Sequence, residues 1–342
     1  MKKLRLAVEK PCVVVIAPER LFLSFFDATA RRRLGRSFRW SRHSGRRLTG
    51  AMRAAVSEAD ALITTWDGPR FGEDLVEIAP RLRVIGHCGG EVKGRFAGPL
   101  FSRLTITNAP EPMAAPVAEL AVAFLLHAAR DLDTYRDALR RSSSAIYGWL
   151  HRDGAGNETL AGRPVGLLGF GRIGRTIAEM LAPFGARVLV HDPYVPARAI
   201  RRAGATPASW RQLLRTPFLV LAAGLTDRTR GLLDAAALAR LPDGAVVVNV
   251  ARGALLDLPA LTREVRRGRL RCALDVTDPD EPLPARHPLR RARGAVLTPH
   301  VGAAQGGVRR QMAAIVTEDL ERFFAGRPVR NRVTPSMLRR MT

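Results

Sequence analysis

Pro164-Val165-Gly166-Leu167-Leu168-Gly169-Phe170-Gly171-Arg172-Ile173-Gly174 is the stretch from which the rest of the chain is read. The apolar run 164–168, bounded by proline and glycine, reads as a buried strand. Residues 169–174 then fit GxGxxG. From Ile173 to Phe184 the pattern turns helical, with Ile177, Met180 and Leu181 on one face, and Gly185 stops it as a C-terminal glycine does. Arg187–His191 is the next strand. Asp192 closes it 18 residues after Gly174, near the spacing at which an acidic residue completes a dinucleotide fingerprint.

A bare GxGxxG is a weak signal and can be a glycine-rich turn without a ligand. Strand before, helix after and acid at the right distance weigh against that reading. Gly169 allows the tight turn. Gly171, with Arg172 and Ile173, brings backbone N–H groups of a helix N-terminus to a pyrophosphate. Gly174 allows helix and strand to pack closely. Asp192 can accept from a ribose 2′-hydroxyl and would repel a 2′-phosphate, so NAD is the cofactor expected, with Arg198 nearby acting the other way.

Outward from this unit, strands are expected at Phe218–Ala222, Val246–Val250, Arg271–Asp275 and Ala295–Leu297, with helices such as Asp234–Arg240 and Asp257–Arg266 between them. The alternation predicts a parallel sheet covered on both faces. Upstream, Val13–Ile16, Phe38–Trp40, Ala61–Thr64, Val84–Gly86 and Leu104–Thr107 read as strands, with helices at Gly50–Ala59 and Glu73–Ala79: a second α/β unit. One long helix, about Ala114 to Arg140, joins the halves, and a last helix runs from about Gln305 to Phe324. The basic, proline-containing tail from Gly326 to Thr342 reads as a surface segment.

The bulk composition agrees with two domains in 342 residues, 46% of them hydrophobic. No stretch reads as apolar over the ~20 residues a membrane helix needs. The basic Met1–Arg5 leads into a short strand-like run between Pro11 and Pro18 rather than a secretory pattern, so a cytoplasmic protein is expected. Cys12, Cys88 and Cys272 show no CxxC spacing and suit reduced thiols, with neither a disulfide frame nor a metal site. The net charge of +24 raises nucleic acid as a partner. Yet of 55 basic residues four are lysine and the other 51 arginine, spread along the chain, with aromatics at 6% and no run longer than Arg31-Arg32-Arg33. Basic blocks and stacking platforms are missing, so no specific nucleic-acid binding is expected. An arginine-heavy coding bias accounts for the charge as well.

In open α/β sheets, ligands bind outside the carboxyl ends of the strands. Three strands of the second half end suggestively: Val246–Val250 at Arg252, Arg271–Leu274 at Asp275, and Ala295–Leu297 at Thr298-Pro299-His300, with Glu281 between the last two. A guanidinium can clamp a carboxylate bidentately and polarise a carbonyl. A histidine can donate the proton that keto-acid reduction needs, and a carboxylate beside it orients the ring and favours its protonated form. Singly, each residue has a plainer reading, as a surface arginine, a turn histidine and a solvated glutamate. It is their joint placement at one sheet edge that points to chemistry.

With these residues in view, the chain resembles the D-isomer-specific 2-hydroxyacid dehydrogenases over roughly Val56 to Met341. The resemblance rests on the 169–174 turn with His191-Asp192-Pro193-Tyr194, on Val248–Asp257, on Ala273–Pro284 and on Leu297-Thr298-Pro299-His300 with Val301–Ala304. It implies two Rossmann-like domains: a doubly wound, parallel-sheet dinucleotide-binding domain, 116–301, and a smaller, discontinuous, flavodoxin-like substrate domain, 1–115 plus 302–342. It implies an NAD-dependent oxidoreductase acting on a 2-keto acid/D-2-hydroxy acid pair. Arg252 is then the substrate clamp, His300 the proton donor and Glu281 its partner. Asp275 matches the residue that binds the nicotinamide amide, and Gly90, Glu91 and Val92 match the loop that receives the substrate carboxylate. A homodimer through the cofactor domain is also implied.

The chain departs from the family pattern in places. Where the family commonly reads LHAPLT, this chain has Leu221-Ala222-Ala223-Gly224-Leu225-Thr226. The segment from Asp275 to Glu281-Pro282 is one residue longer than the family's DVxxxEP, so counting favours Asp280 as the histidine's partner and the Glu-Pro-Leu-Pro alignment favours Glu281, which is preferred. The other function class is an NAD-responsive binding or regulatory protein with little turnover, against which the intact arginine, glutamate and histidine argue. Glyoxylate, hydroxypyruvate, phosphoglycerate and bulkier keto acids all stay open as substrates.

Overall fold

The computed structural model describes residues 9–141 and 157–338, so the basic Met1–Arg5 and the last residues of the tail lie outside the described part. The chain divides into two compact units, Met1–Pro112 with Ala304–Thr342, and Met113–Ala303.

The first unit is a five-stranded sheet of β1 (Cys12–Ile16), β2 (Arg39–His43), β3 (Ala61–Thr64), β4 (Val84–His87) and β5 (Thr105–Asn108). All pairs are parallel and the order is β2-β1-β3-β4-β5, which is the flavodoxin-like winding. Val14, Ile16, Leu62, Ile85 and Ile106 point to one face and pack with Met52, Val56, Leu75 and Phe101 from the crossover helices. The helix Gly306–Phe324 packs on β4 and on the helices Glu19–Phe25 and Ala28–Ser37, so the chain returns to this unit after its long excursion.

The second unit has seven parallel strands: β6 (Pro164–Leu168), β7 (Arg187–His191), β8 (Thr206–Pro207), β9 (Phe218–Leu221), β10 (Val246–Asn249), β11 (Arg271–Leu274) and β12 (Ala295–Leu297). Their order, β12-β11-β10-β9-β6-β7-β8, is the doubly wound dinucleotide-binding order with a seventh strand added, and it reverses between β6 and β9. The central strands β6 and β9 are apolar and largely buried because both faces are covered. Val165, Leu167, Val220 and Val248 face the helices Ala114–Ala129 and Arg172–Leu181, while Leu219, Leu221, Val247 and Leu274 face Ala235–Ala239 and Leu258–Arg266.

Four expectations are corrected. The long joining helix is two, Ala114–Ala129 and Leu132–Arg141, broken at Asp131, whose φ of 46° lies in the left-handed region. The break is stabilised from afar: Arg271 Nη1 donates to the Ala128 carbonyl at 2.8 Å and the Glu158 N–H to that of Ala129 at 2.8 Å, satisfying carbonyls the helix end leaves open. The tail is not all surface. Thr107 bridges Arg332 in antiparallel fashion, the Val333 N–H donates to Ile106 O, and Val333 is buried in the first core. Buried Asp319 fixes this return by accepting from the Arg330 N–H and Asn331 Nδ2. One stretch, Glu111–Ala129, does reach the length and apolarity of a membrane helix, with mean hydropathy 1.5. Here it is a core helix, packed against Arg172–Leu181 and β10. Finally, β2 runs to His43, three residues beyond the stretch expected.

Candidate active site

Every strand of the second sheet runs the same way, so the loops after β6, β7, β9, β10, β11 and β12 leave from one edge. The turn after β6 is built as its glycines suggest. Gly169 has φ 92°, and a Cβ there would meet the backbone of Ala223, in the loop after β9, at 2.6 Å. A Cβ on Gly174 would meet the Gly169 carbonyl at 2.3 Å, so the helix sits directly on the turn. At Gly171 a Cβ would meet nothing within 4 Å. That side is open for close approach, at a helix N-terminus that carries no side-chain cap and no acidic residue. Phe170 between them is buried, with the Arg175 guanidinium 5.4 Å from its ring, and anchors the turn in the core. Asp192 lies beside it: Oδ2 accepts from the Phe170 N–H at 2.7 Å and Oδ1 from the Tyr194 N–H at 2.9 Å. Each oxygen retains lone-pair capacity for a further donor. An open glycine, orphan N–H groups and a carboxylate positioned by the turn fit a dinucleotide, which Gly169, Gly171, Arg172, Ile173, Gly174 and Asp192 would hold.

His300 sits after β12 with φ 54°, unusual for a residue other than glycine. Such a conformation persists where surrounding bonds over-determine it, and here they converge on Asp275. The Asp275 carboxylate accepts from Thr298 Oγ1 at 2.5 Å and the N–H groups of Val301 at 2.8 Å and Gly302 at 3.0 Å, while its carbonyl accepts from the His300 N–H at 2.8 Å. Asp275 is 2% exposed. The resemblance gives it to the nicotinamide amide; in the structure its carboxylate is turned inward and spent on holding the histidine turn. The His300 ring, half exposed, forms an ion pair through Nδ1 with Glu281 Oε1. The carboxylate at the ring is thus that of Glu281, while the Asp280 carbonyl accepts from Thr277 Oγ1 within the loop. With Nδ1 engaged, Nε2 is the nitrogen that faces outward chemistry.

Arg252 follows β10 in extended conformation, and its Nη1 donates to the Ala251 carbonyl at 2.7 Å. Two residues that the sequence reading passed over hold its segment. Buried Asn249 donates through Nδ2 to the Arg252 carbonyl at 2.9 Å and accepts from the Ala251 N–H at 3.0 Å. Gly253 lies so close to the Thr277–Asp278 backbone that a Cβ would meet Thr277 C at 2.1 Å, which ties the Arg252 segment to the loop carrying Glu281. An asparagine ending an all-valine strand was the signal for the first; for the second no sequence signal exists.

In the first unit, Gly90, Glu91 and Val92 follow β4. Asn108 Nδ2 donates to the Gly90 carbonyl at 2.8 Å and fixes the loop from β5. Among the described residues the N–H groups of Gly90 and Glu91 have no partner, which suits an incoming carboxylate. The Glu91 carboxylate is folded back onto the Gly94 N–H, and the Val92 side chain is buried in the core. Next to this loop His87 is wholly buried, with Nδ1 2.9 Å from Thr64 Oγ1. Burial, helped by the Arg95 cation, pushes its pKa down to about 3, so it is a neutral structural group.

Residues 122–302 match the family model for the D-isomer specific 2-hydroxyacid dehydrogenase NAD-binding domain. The chain is 35% identical to the D-3-phosphoglycerate dehydrogenase of Mycobacterium leprae over 80% of this chain and 51% of that protein. It is 33% identical to the glyoxylate reductase of Aeropyrum pernix over 83% of this chain and 84% of that protein. A crystal structure of a Thermus thermophilus protein superposes with TM-score 0.75 at 30% identity, covering 94% of this chain and 100% of the other. The chain spans about half the length of the D-3-phosphoglycerate dehydrogenases it matches.

Proposed function

Because this chain belongs to the D-isomer-specific 2-hydroxyacid dehydrogenase family, we propose that it interconverts a small 2-keto acid and its D-2-hydroxy acid with NAD(H). The observation that carries this reading is the His300–Glu281 pair, held by Asp275 at the edge of a dinucleotide-binding sheet. A protein that only sensed the nucleotide would have no use for an oriented proton donor.

Bound at the 169–174 turn, the nicotinamide nucleotide supplies or accepts the hydride. The chain's own residues do the rest. Protonated His300 gives the proton on Nε2 to the substrate oxygen during reduction and takes it back during oxidation, while Glu281 at Nδ1 fixes the ring's orientation and balances its charge. Arg252 clamps the substrate and polarises its carbonyl. Asp192 favours NAD over NADP by accepting from the ribose hydroxyl and repelling a phosphate there. The relatives named for phosphoglycerate and glyoxylate point to a substrate of two or three carbons.

We further propose a homodimer through the second unit and a cytoplasmic location. The amphipathic helix Leu132–Arg141 shows Leu132 at 51% and Leu139 at 66% exposure, while β12 ends its sheet as an edge strand. Cys88 and Cys272 are buried free thiols whose pKa values burial pushes up, to about 12 for Cys272, as suits a reducing compartment. The test of activity is oxidation of NADH and NADPH with glyoxylate, hydroxypyruvate, phosphohydroxypyruvate and bulkier keto acids. Turnover with a small keto acid, faster with NADH, is expected. Tight NADH binding with no turnover on any acid would instead indicate a nucleotide-responsive binding protein.

A further inference from the structure

The first unit carries a second concave site, away from the loop after β4. Beyond β2 the chain turns through residues 44–49 into the helix Gly50–Ser57 and borders an open cleft of about 660 Å³. Arg42, Arg46 and Arg47 line it together with Ser44 and Thr49, and no lining residue is a carboxylate. Their charge is poorly compensated. Arg42 approaches Glu19 only to 3.9 Å, and Arg46, 86% exposed, approaches Asp67 to 3.7 Å. Arg47 makes no hydrogen bond or ion pair among the described residues. Loose, exposed pairs of this kind hold their partners weakly.

The helix adds a second, independent element. Thr49 occupies its N-cap, yet its side chain accepts no hydrogen bond, and the first turn holds no acidic residue. The N–H groups of Gly50, Ala51 and Met52 are the orphan donors of a helix start, at the positive end of its dipole. Ala51 and Met52 line the cleft. Three arginines, two hydroxyl residues and an uncapped helix start, lining one cleft, form a donor set suited to a tetrahedral oxyanion.

We propose that this cleft binds a phosphate group, free or carried by a small metabolite, and that it is distinct from the Gly90 loop. The separation follows from the sheet order. β2 lies three strand positions from β4, the strand that leads into Gly90. At ~4.8 Å per strand that is roughly 14 Å. A three-carbon acid, at ~1.5 Å per bond, is far too short to reach from one to the other. A nucleic-acid backbone suits the cleft less well, since it would need a track of cations, whereas these arginines lie within the six residues 42–47.

The test is direct binding to the full chain, independent of turnover. Inorganic phosphate, glycerol phosphate and glycerol are titrated calorimetrically at constant ionic strength, with chloride as the balancing anion. Both phosphates should bind and glycerol should not; the tighter of the two identifies a free or a carried phosphate. Arg46→Ser with Arg47→Ser should weaken binding at least about ten-fold, the scale for losing charge-assisted hydrogen bonds. A control with the same loss of charge, Arg266→Ser with Arg267→Ser, both exposed on the other unit, should stay within about two-fold, for distant charges are screened. Ala51→Asp should abolish binding while leaving the fold at least as stable, because an acidic side chain in the first helical turn is favourable without a ligand. Equal weakening in both arginine pairs, absence of phosphate binding, or binding of a DNA duplex alone would overturn the proposal.

Discussion

His300 shows how far single residues can be read. Its candidacy as proton donor was legible only from its joint placement with Arg252 and Glu281 at one sheet edge, because a lone histidine after proline reads as a turn residue. What holds it was not legible. Asp275 reads in the sequence as a ligand for the cofactor, yet its carboxylate accepts three bonds from the 298–302 segment, a geometry that exists only once β11 and β12 are side by side. The choice between Asp280 and Glu281 was likewise a matter of loop path, which spacing leaves open; in the structure the carboxylate at the ring is that of Glu281. His300→Ala should therefore lower turnover by ~10²–10⁴ with NADH binding retained. Glu281→Gln keeps the shape of the side chain and removes its charge. The ring then loses the carboxylate that orients it, so this variant should lower kcat about ten-fold or more while Asp280→Asn leaves kcat near the parent value. Steady-state kinetics of the three proteins check this; a loss confined to Asp280→Asn would reassign the partner.

At the scale of elements, the strands were the most legible feature, because two covered faces force unbroken apolar runs such as Val246-Val247-Val248. Helix ends were less so. Nothing between Ala114 and Arg140 announces a break, since the groups that stabilise it, Arg271 and Glu158, lie far along the chain. The glycines separate two kinds of constraint that a motif merges. Gly171 faces open space, whereas Gly253 abuts backbone on the neighbouring loop. Gly171→Ala should thus fold with unchanged stability but lose NADH affinity, because the methyl group takes the space the pyrophosphate needs. Gly253→Ala must push the Arg252 segment off the Glu281 loop. It should cost roughly 1–3 kcal/mol, the range for overpacking, and lower kcat/KM as well. Urea unfolding together with fluorescence titration of NADH separates the two; a destabilised Gly171→Ala, or a fully active Gly253→Ala, would contradict these assignments.

For the molecule as a whole, the two-unit organisation was visible in the alternation of strands and helices, but the return of the tail to β5 was not, because Thr107, Arg332 and Val333 meet only through the last crossing. The dimer proposal predicts that Leu139→Glu yields a monomer in sedimentation, with an unchanged circular dichroism spectrum. Arginine is also less evenly spread than its scatter along the chain suggests, since the 42–47 turn gathers three. The net charge of +24 opposes compactness, and screening by salt should relieve it. Acid brings a second destabilisation that salt leaves in place. His87 is neutral in its buried position, with a pKa of about 3 against the ordinary 6.5. Below pH 6.5 the unfolded chain takes up a proton there that the folded chain refuses. The stability linked to His87 is therefore fully present above pH 6.5 and is lost progressively as the pH falls toward 3. At ~1.4 kcal/mol per pH unit, the loss between pH 6.5 and pH 5 is at most roughly 2 kcal/mol. His87→Gln retains a polar side chain for Thr64 and removes the titration, so its stability should fall less steeply over that interval. Urea midpoints at pH 7 and pH 5, each at low and high salt, check the sign. Salt should raise the midpoint at both pH values for the parent chain and for His87→Gln, yet the difference in their acid slopes should persist. Parallel slopes for the two proteins at high salt would show that surface charge alone governs acid sensitivity, and that His87 is protonated without cost.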